Sequence, residues 1–339
     1  MRGISEWFMK AVLMPRYSAA IRVAVKQLRS TFSDEHDAFI DEMKTMQLIG
    51  HHPHVVQLIG YCKVQKPLAI VMELITCGSL KSYLVGLRET WNNGSISNMA
   101  EDYIGYPSGE KNYLGDNYPP SPKRLTSVST QYTTLSNSPP ASPTSDCCSF
   151  SNLVYVLDNK ELQSFALQIA KGMAYLESIP VTHRDLAARN ILINEGKMLK
   201  ISDFGMSRPG PYVSQRTQRF PMRWMAMEAL DNLRTDSRSD VWSYGVVLWE
   251  IGTLGAMPYT ELPDALVQVR LKEGYRLQRP IICTDELYEL MLRCWNADAD
   301  ERPTFAEIAV MLEKTMTSAY VDFGKVDKNY VFPSMAEPN

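Results

Sequence analysis

The sequence predicts an α+β fold, with strands concentrated near its start and helices filling most of the remainder. Three observations carry that reading. Residues 21–28 (Ile-Arg-Val-Ala-Val-Lys-Gln-Leu) show the β-branched alternation of a strand. Helical spacing of apolar residues is established at 159–177 and dominates to about residue 316. Between these regions the composition changes abruptly to Ser, Pro, Asn, Thr, Gly and Tyr.

After the strand at 21–28, residues 34–49 read as a helix, because Phe39, Met43, Met46 and Ile49 recur near helical spacing. Two short apolar strands are expected around 55–59 and 68–74, and Gly78 breaks the chain before a short helix at 79–85. From about Trp91 to Asn152 there are too few aliphatic residues to offset the entropy of ordering, which predicts a flexible surface insert. The expected division is 1–90, 91–152 (insert), 153–316 and 317–339 (a tail), with no internal repeat. A chain of 339 residues suffices for two domains or for one large two-lobed domain.

A net charge of −3 gives no support for nucleic-acid binding through a general basic field. The six cysteines form no CxxC pair and no zinc spacing, so free thiols in a reducing compartment are expected. No signal peptide is visible at the start. The apolar stretch from Val241 to Tyr259 is interrupted by Ser243, Gly245, Glu250 and Gly252, which suits a buried helix better than a membrane span. A soluble chain is expected, compatible with the inner part of a membrane receptor.

The chemistry concentrates in His183-Arg184-Asp185-Leu186-Ala187-Ala188-Arg189-Asn190, followed thirteen residues after Asn190 by Asp203-Phe204-Gly205. Together these resemble the catalytic and metal-binding loops of protein kinases. Phosphoryl transfer needs a carboxylate to orient the acceptor, metal ligands, and cations to neutralise the moving phosphoryl group. Asp185 fits the first role, and Asn190 with Asp203 fits the second. Upstream, Val23-Ala24-Val25-Lys26 is similar to the strand that supplies a phosphate-contacting lysine, and Glu42 stands where its ion-pair partner is expected.

The resemblance covers about residues 8–90 and 153–316 and is closest to receptor-type tyrosine kinases with an insert, such as the fibroblast, platelet-derived and vascular growth factor receptors. It implies the bilobal kinase fold: a small β-rich N-lobe, truncated at its start, and a larger helical C-lobe. Ala187-Ala188-Arg189 places it on the tyrosine side, with Arg189 supplying positive charge at the site. Pro221-Met222-Arg223-Trp224 resembles the substrate platform, and Asp240 through Gly245 the buried helix that anchors the catalytic loop. The resemblance further implies ATP and Mg2+. Ala24 and Leu192 would sandwich adenine, Met72 would stand behind it, and Glu73-Leu74-Ile75 would form the hinge. Met46, Leu58, His183 and Phe204 would stack as an internal column. His51-His52-Pro53-His54 reads as a turn of the family and not as a metal site.

Three departures stand out. The segment Ser5–Val12 matches the phosphate-covering loop only in Phe8 as its tip aromatic, without glycine around it, and Glu6 would bring negative charge near the phosphates. Truncation and a catalytically weak pseudokinase scaffold are both compatible with that. Ala226-Met227-Glu228 stands where Ala-Pro-Glu is usual, although Glu228 should still pair with Arg302. The segment after Arg208 is short, with Pro209-Gly210-Pro211 ahead of Tyr212.

Tyr212 is the expected activating site, modified in trans on dimerisation. A phosphate of roughly −1.5 to −2 charge would be captured by Arg184, Arg208 and one of Arg216 or Arg219, ordering a segment otherwise mobile through repulsion. Tyr103, Tyr106, Tyr113, Tyr118 and Tyr132 in the insert are candidate docking sites for phosphotyrosine-binding adaptors, and Ser121, Ser138 and Ser142 for proline-directed kinases. Protein substrates bearing tyrosine, and a position on the cytoplasmic side of the plasma membrane, complete the expectation.

Overall fold

A computed structural model describes residues 6–14, 19–29, 32–64, 66–93, 159–213, 220–314 and 330–332. The insert tyrosines and serines, Arg216 and Arg219 lie outside the described residues.

The first layer is an antiparallel sheet of four strands, β1 (Glu6–Leu13), β2 (Ile21–Leu28), β3 (Leu58–Cys62) and β4 (Leu68–Glu73), in the order β1-β2-β4-β3. Helix α1 (Ser33–Ile49) packs on it through Phe39, Met43, Met46 and Ile49. The strand at 21–28 and the helix over 34–49 therefore form as their patterns predict. The buried face of α1 also carries Glu42 and Thr45, and the buried residues of β2 include Lys26. Polar side chains at inward positions on both elements mark where the sheet and helix meet over a site rather than over oil.

The segment around Phe8 forms a regular strand, paired residue by residue from Glu6↔Leu28 to Leu13↔Ile21, and it carries no glycine. The strand expected at 55–59 shifts. Val55 bridges Ile201 and the Val56 amide donates to the Ile201 carbonyl at 2.9 Å, so this half of the apolar run joins the second lobe. Only from Leu58 does the run enter the first sheet.

The helical lobe begins with α2 (Leu80–Asn92), capped by the Ser79 hydroxyl, which accepts from the Ser82 amide at 3.2 Å. It runs past the predicted end at 85 because Leu84, Leu87 and Arg88 prolong its buried stripe, and it absorbs Trp91 and Asn92, assigned above to the insert. Helix α3 (Asn159–Ser178) buries Leu162, Phe165, Ile169, Met173 and Leu176 at helical spacing. Short strands follow: β5 (Val181–Thr182), β6 (Ile191–Ile193), β7 (Leu199–Ile201), β8 (Arg208–Pro209) and β9 (Tyr212–Val213). Then come α4 (Met227–Asn232), β10 (Arg234–Thr235), α5 (Ser237–Gly252), α6 (Asp264–Lys272), α7 (Asp285–Cys294) and α8 (Phe305–Lys314).

Helix α5 is the central post of this lobe. Asp236 and Ser239 close a capping box at its start, and nearly every following residue is buried. The Tyr244 hydroxyl ties it to α3 by donating to the Ala166 carbonyl at 2.9 Å. This all-round burial accounts for the predominantly apolar stretch from Val241, with Ser243 and Glu250 buried among its apolar residues. Among the described residues no helix is long and apolar enough to cross a membrane.

Gly245 shows how closely α5 is packed. A Cβ there would lie 2.6 Å from Trp295 Nε1 and 2.9 Å from Cys294 Cβ, on two fully buried neighbours. Replacing glycine inside a helix gains about 1 kcal/mol of propensity, but overpacking a filled core costs about 1–3 kcal/mol. Gly245→Ala is therefore expected to lower stability by up to about 2 kcal/mol, as read by urea denaturation; a more stable variant would contradict the packing.

Candidate active site

The catalytic-loop candidates are held from beneath by α5. Asp240, 1% exposed, accepts the His183 amide at 2.6 Å and the Arg184 amide at 2.9 Å. Burial pushes its carboxyl up to about 7, against the pull of those two amides. Arg184 takes a left-handed backbone, φ 71°, which the two amide bonds to one carboxylate impose. His183 is fully buried; its Nε2 faces the Ser202 carbonyl at 3.1 Å, and its ring meets Phe204 edge-on at 5.3 Å. Of the expected column, the His183–Phe204 contact is thus present; Phe204 and Met46 lie in the hydrophobic core, and Leu58 packs against that core.

Asp185 projects from this base. Arg189 donates to its Oδ1. The Asn190 amide group donates at 2.8 Å both to Oδ2 and to the Asp185 carbonyl. Burial raises the Asp185 carboxyl above its ordinary range, while the charges of Arg189 and His183 and the Asn190 bond pull the other way. The Arg189 guanidinium is fixed on its other side by the Trp224 ring, 4.3 Å away.

Asn190 links this loop to the next one. Its carbonyl accepts the Ser202 amide at 2.9 Å and the Ser202 hydroxyl at 2.8 Å. The following residue, Asp203, is exposed and left-handed at φ 64°. With the Asn190 NH2 group committed to Asp185, its side-chain oxygen is the atom that a cation could use. An amide oxygen beside an exposed carboxylate is the donor set that a hard divalent cation accepts, so these residues fit Mg2+.

Lys26 and Glu42 meet across the first lobe. Lys26 Nζ lies 2.9 and 2.7 Å from the two Glu42 oxygens, and each residue is only 3% exposed. Phe8 places its ring 5.5 Å from the ammonium. Gly205 brings this pair to the metal-loop candidate: a Cβ there would lie 3.4 Å from Asp203 Oδ1 and 3.5 Å from Glu42 Oε2. Residues from β2, α1 and the 203–205 turn thus converge.

The expected adenine neighbours lie at the junction of the lobes. Ala24 and Leu192 are both partly buried, and Ala24 pairs with Met72 across β2 and β4. Glu73 ends β4, and residues 74–76 leave the sheet. The Glu73 carboxylate is occupied, accepting the Gln57 amide and Lys200 Nζ at 2.7 Å each. Its backbone amide donates to the Gln57 carbonyl at 3.1 Å, so Glu73 is tied to Gln57 in both directions.

Tyr212 lies next to the cations expected around it. It pairs with Thr235 across β9 and β10. Its ring lies 4.7 Å from the Arg184 guanidinium carbon and 5.9 Å from that of Arg208. The two cations share the π-face of the neutral tyrosine. The short Pro-Gly-Pro approach therefore does not keep Tyr212 from Arg184.

The histidine turn is engaged in packing. His54 Nδ1 faces the Leu199 carbonyl at 3.1 Å, and His52 stacks on Tyr175 at 4.7 Å. Burial lowers His52 to about 4, assisted by the neighbouring His54, His51 and Lys200.

One supporting residue escaped the sequence reading. Glu250 accepts the Ala188 amide at 2.9 Å and the Trp224 indole at 3.0 Å, tying catalytic loop to substrate platform from inside α5. Its signal is a glutamate interrupting the apolar stretch of a buried helix, which demands buried partners.

Comparison with known proteins agrees with this geometry. The family model described as protein tyrosine and serine/threonine kinase matches residues 7–312. The chain is 38% identical over 310 residues to the tyrosine-protein kinase receptor torso of Bombyx mori, covering 88% of this chain and 35% of that protein. It is 37% identical over 314 residues to the myoblast growth factor receptor egl-15 of Caenorhabditis elegans, covering 91% and 27%. It is 34% identical over 352 residues to human platelet-derived growth factor receptor beta, covering 92% and 32%. The chain spans about a third of the length of these curated relatives. With a family model matched along nearly all of its length and the residues of that family's chemistry gathered at one junction, the chain belongs to the protein tyrosine and serine/threonine kinase family.

Proposed function

We propose that this chain is the catalytic region of a receptor-type protein-tyrosine kinase, transferring the γ-phosphoryl group of ATP to tyrosine hydroxyls of protein substrates. The observation that carries this reading is Asp185, held by Arg189 and Asn190 next to the 203–205 turn, with the Lys26–Glu42 pair already formed.

In this reading Asp185 orients the tyrosine hydroxyl and takes its proton as the oxygen bonds to the γ-phosphorus. The bond from that phosphorus to the β–γ bridging oxygen breaks, and ADP leaves. Lys26, steadied by Glu42, binds the α- and β-phosphates. Arg189 lends positive charge beside the acceptor. Asn190 and Asp203 hold Mg2+, which when bound neutralises charge on the phosphates. Ala24 and Leu192 flank adenine, and the backbones of Glu73 and Ile75 bond its edge. Phosphorylation of Tyr212 would replace a ring–cation contact with an ion pair to Arg184 and Arg208, stiffening the segment that leads to Pro221. The relatives are named as receptors, which supports protein substrates, activation by dimerisation, adaptor docking on insert or tail tyrosines, and a place on the inner face of the plasma membrane.

The test is turnover on a poly-Glu-Tyr substrate with Mg-ATP, together with the melting shift that Mg-ATP produces. Turnover supports the kinase. A shift without turnover would support a scaffold instead. Asp203→Asn removes metal-bound charge, so the Mg2+ concentration needed for half-maximal rate should rise about tenfold or more. An unchanged Mg2+ requirement would remove Asp203 from the metal site.

A further inference from the structure

The tail expected at 317–339 does not simply trail away. Tyr330, Val331 and Phe332 lie on the helical lobe, held by the last residues of α2. Trp91 Nε1 donates to the Tyr330 carbonyl at 2.7 Å. The Asn92 side chain donates to the Phe332 carbonyl at 3.0 Å and accepts the Phe332 amide at 2.9 Å. Two side chains thus read the backbone of alternate tail residues, as an extended peptide is read when main-chain bonds give affinity and pockets give specificity. Phe332 is 2% exposed and meets Trp91 edge-on at 5.9 Å and Tyr330 at 5.1 Å. Val331 between them is 63% exposed. Tyr330 and Phe332 form one wall of a cavity of about 240 Å3, whose other walls include Trp249, Gly252, Pro280 and Ile281.

We propose that the end of α2 and the tail form a clasp, in which Trp91 and Asn92 bind the backbone of Tyr330 and Phe332 and withhold Tyr330 from phosphorylation. A kinase cleft or a phosphotyrosine reader must grip the residues that follow the tyrosine. Here the second of those is buried, with both of its backbone polar groups bonded to Asn92. Tyr330 is therefore a modification site that becomes available only when the clasp opens. Because Trp91 and Asn92 immediately precede the polar stretch, a partner gripping that stretch would pull on the clasp. This regulatory meaning rests on the tyrosine-kinase reading, whereas the clasp itself does not.

The experiment uses the full chain carrying Asp185→Asn, so that an added, unrelated tyrosine kinase supplies all activity. The rate of Tyr330 phosphorylation is followed by mass spectrometry and compared with a synthetic peptide of residues 325–337. Tyr61, 39% exposed on β3, is the internal reference. Asn92→Ala and Trp91→Ala leave the tail sequence untouched, and each should raise the Tyr330 rate about tenfold, the effect of losing one to two net hydrogen bonds, with Tyr61 unchanged. The clasp is overturned if Tyr330 in the parent chain already reacts as fast as the peptide. It is also overturned if neither variant changes the rate, or if Tyr61 rises in step with Tyr330. Failure of the kinase reading would appear separately, as absent turnover in the chain that retains Asp185.

Discussion

Asp185→Asn is expected to reduce phosphotransfer by at least about a thousandfold while leaving the fold intact. The substitution keeps the size and shape of the side chain, so packing gives no reason for collapse. It removes the only function an amide cannot serve, accepting a proton from the tyrosine hydroxyl. Of the contacts the carboxylate makes, one oxygen still accepts and the other becomes an NH2 group facing donors, a loss of about 1 kcal/mol. That corresponds to a fall in melting temperature of about 2–4 °C. The pH profile gives an independent check. Asp185 must be ionised to act, and burial raises its carboxyl above the ordinary range. Turnover should therefore fall as pH drops through a value above the usual carboxylate pKa of about 4. The acid limb of kcat/KM should disappear from the residual activity of the variant. Near-normal turnover in the variant, or an acid limb that survives in it, would take the proton-accepting role from Asp185.

Much of this arrangement was legible in the sequence because the residues concerned are local in the chain. His183 to Asn190 form one loop, and Asp203 to Gly205 one turn, so their types and spacing already describe the site. Periodicity found α1 and α3 because their buried faces are mostly apolar. What stayed hidden depended on pairing across distance. Nothing local announces that Glu6–Leu13 will match Ile21–Leu28 residue for residue. Val55 and Val56 look like strand residues of the first lobe until Ile201 is seen to claim them. The end of α2 was lost because Arg88, Glu89, Thr90 and Asn92 look like the polar stretch that follows. The tail, some 240 residues later, supplies partners to Trp91 and Asn92. That the Tyr212 ring would lie against Arg184 and Arg208 likewise depends on a fold that brings the two loops together.

Glu228 and Arg302 form the other long-range pairing that the motifs anticipated, and it should carry the largest single effect on stability. Arg302 is 2% exposed. It donates to the two Glu228 oxygens at 2.7 and 2.8 Å, to the Asn296 carbonyl at 3.0 Å and to the Arg238 carbonyl at 2.9 Å. Its guanidinium also lies 5.1 Å from the Trp242 ring. Arg302→Ala strands two carbonyls and a carboxylate around a void. Removing one partner of a buried pair costs about 3–5 kcal/mol. Glu228 is 26% exposed, so water recovers part of its solvation and the lower end, about 3 kcal/mol, is expected. The melting temperature should fall by roughly 6–12 °C. Burial alone would raise the Glu228 carboxyl, but the hydrogen bonds and charge of Arg302, with the Ser239 hydroxyl, hold it below its ordinary value. A carboxyl depressed in the folded state adds stability above its unfolded pKa, and that contribution is lost as pH falls through the folded value. The gap in melting temperature between parent and variant should therefore be widest above about pH 5 and narrow below about pH 4. Arg302→Lys keeps the charge without the two-pronged geometry and should fall between them. An Arg302→Ala protein that melts within about 2 °C of the parent would mean that the missing proline of Ala226-Met227-Glu228 has already loosened this joint, and that the substrate loop is closed by other contacts.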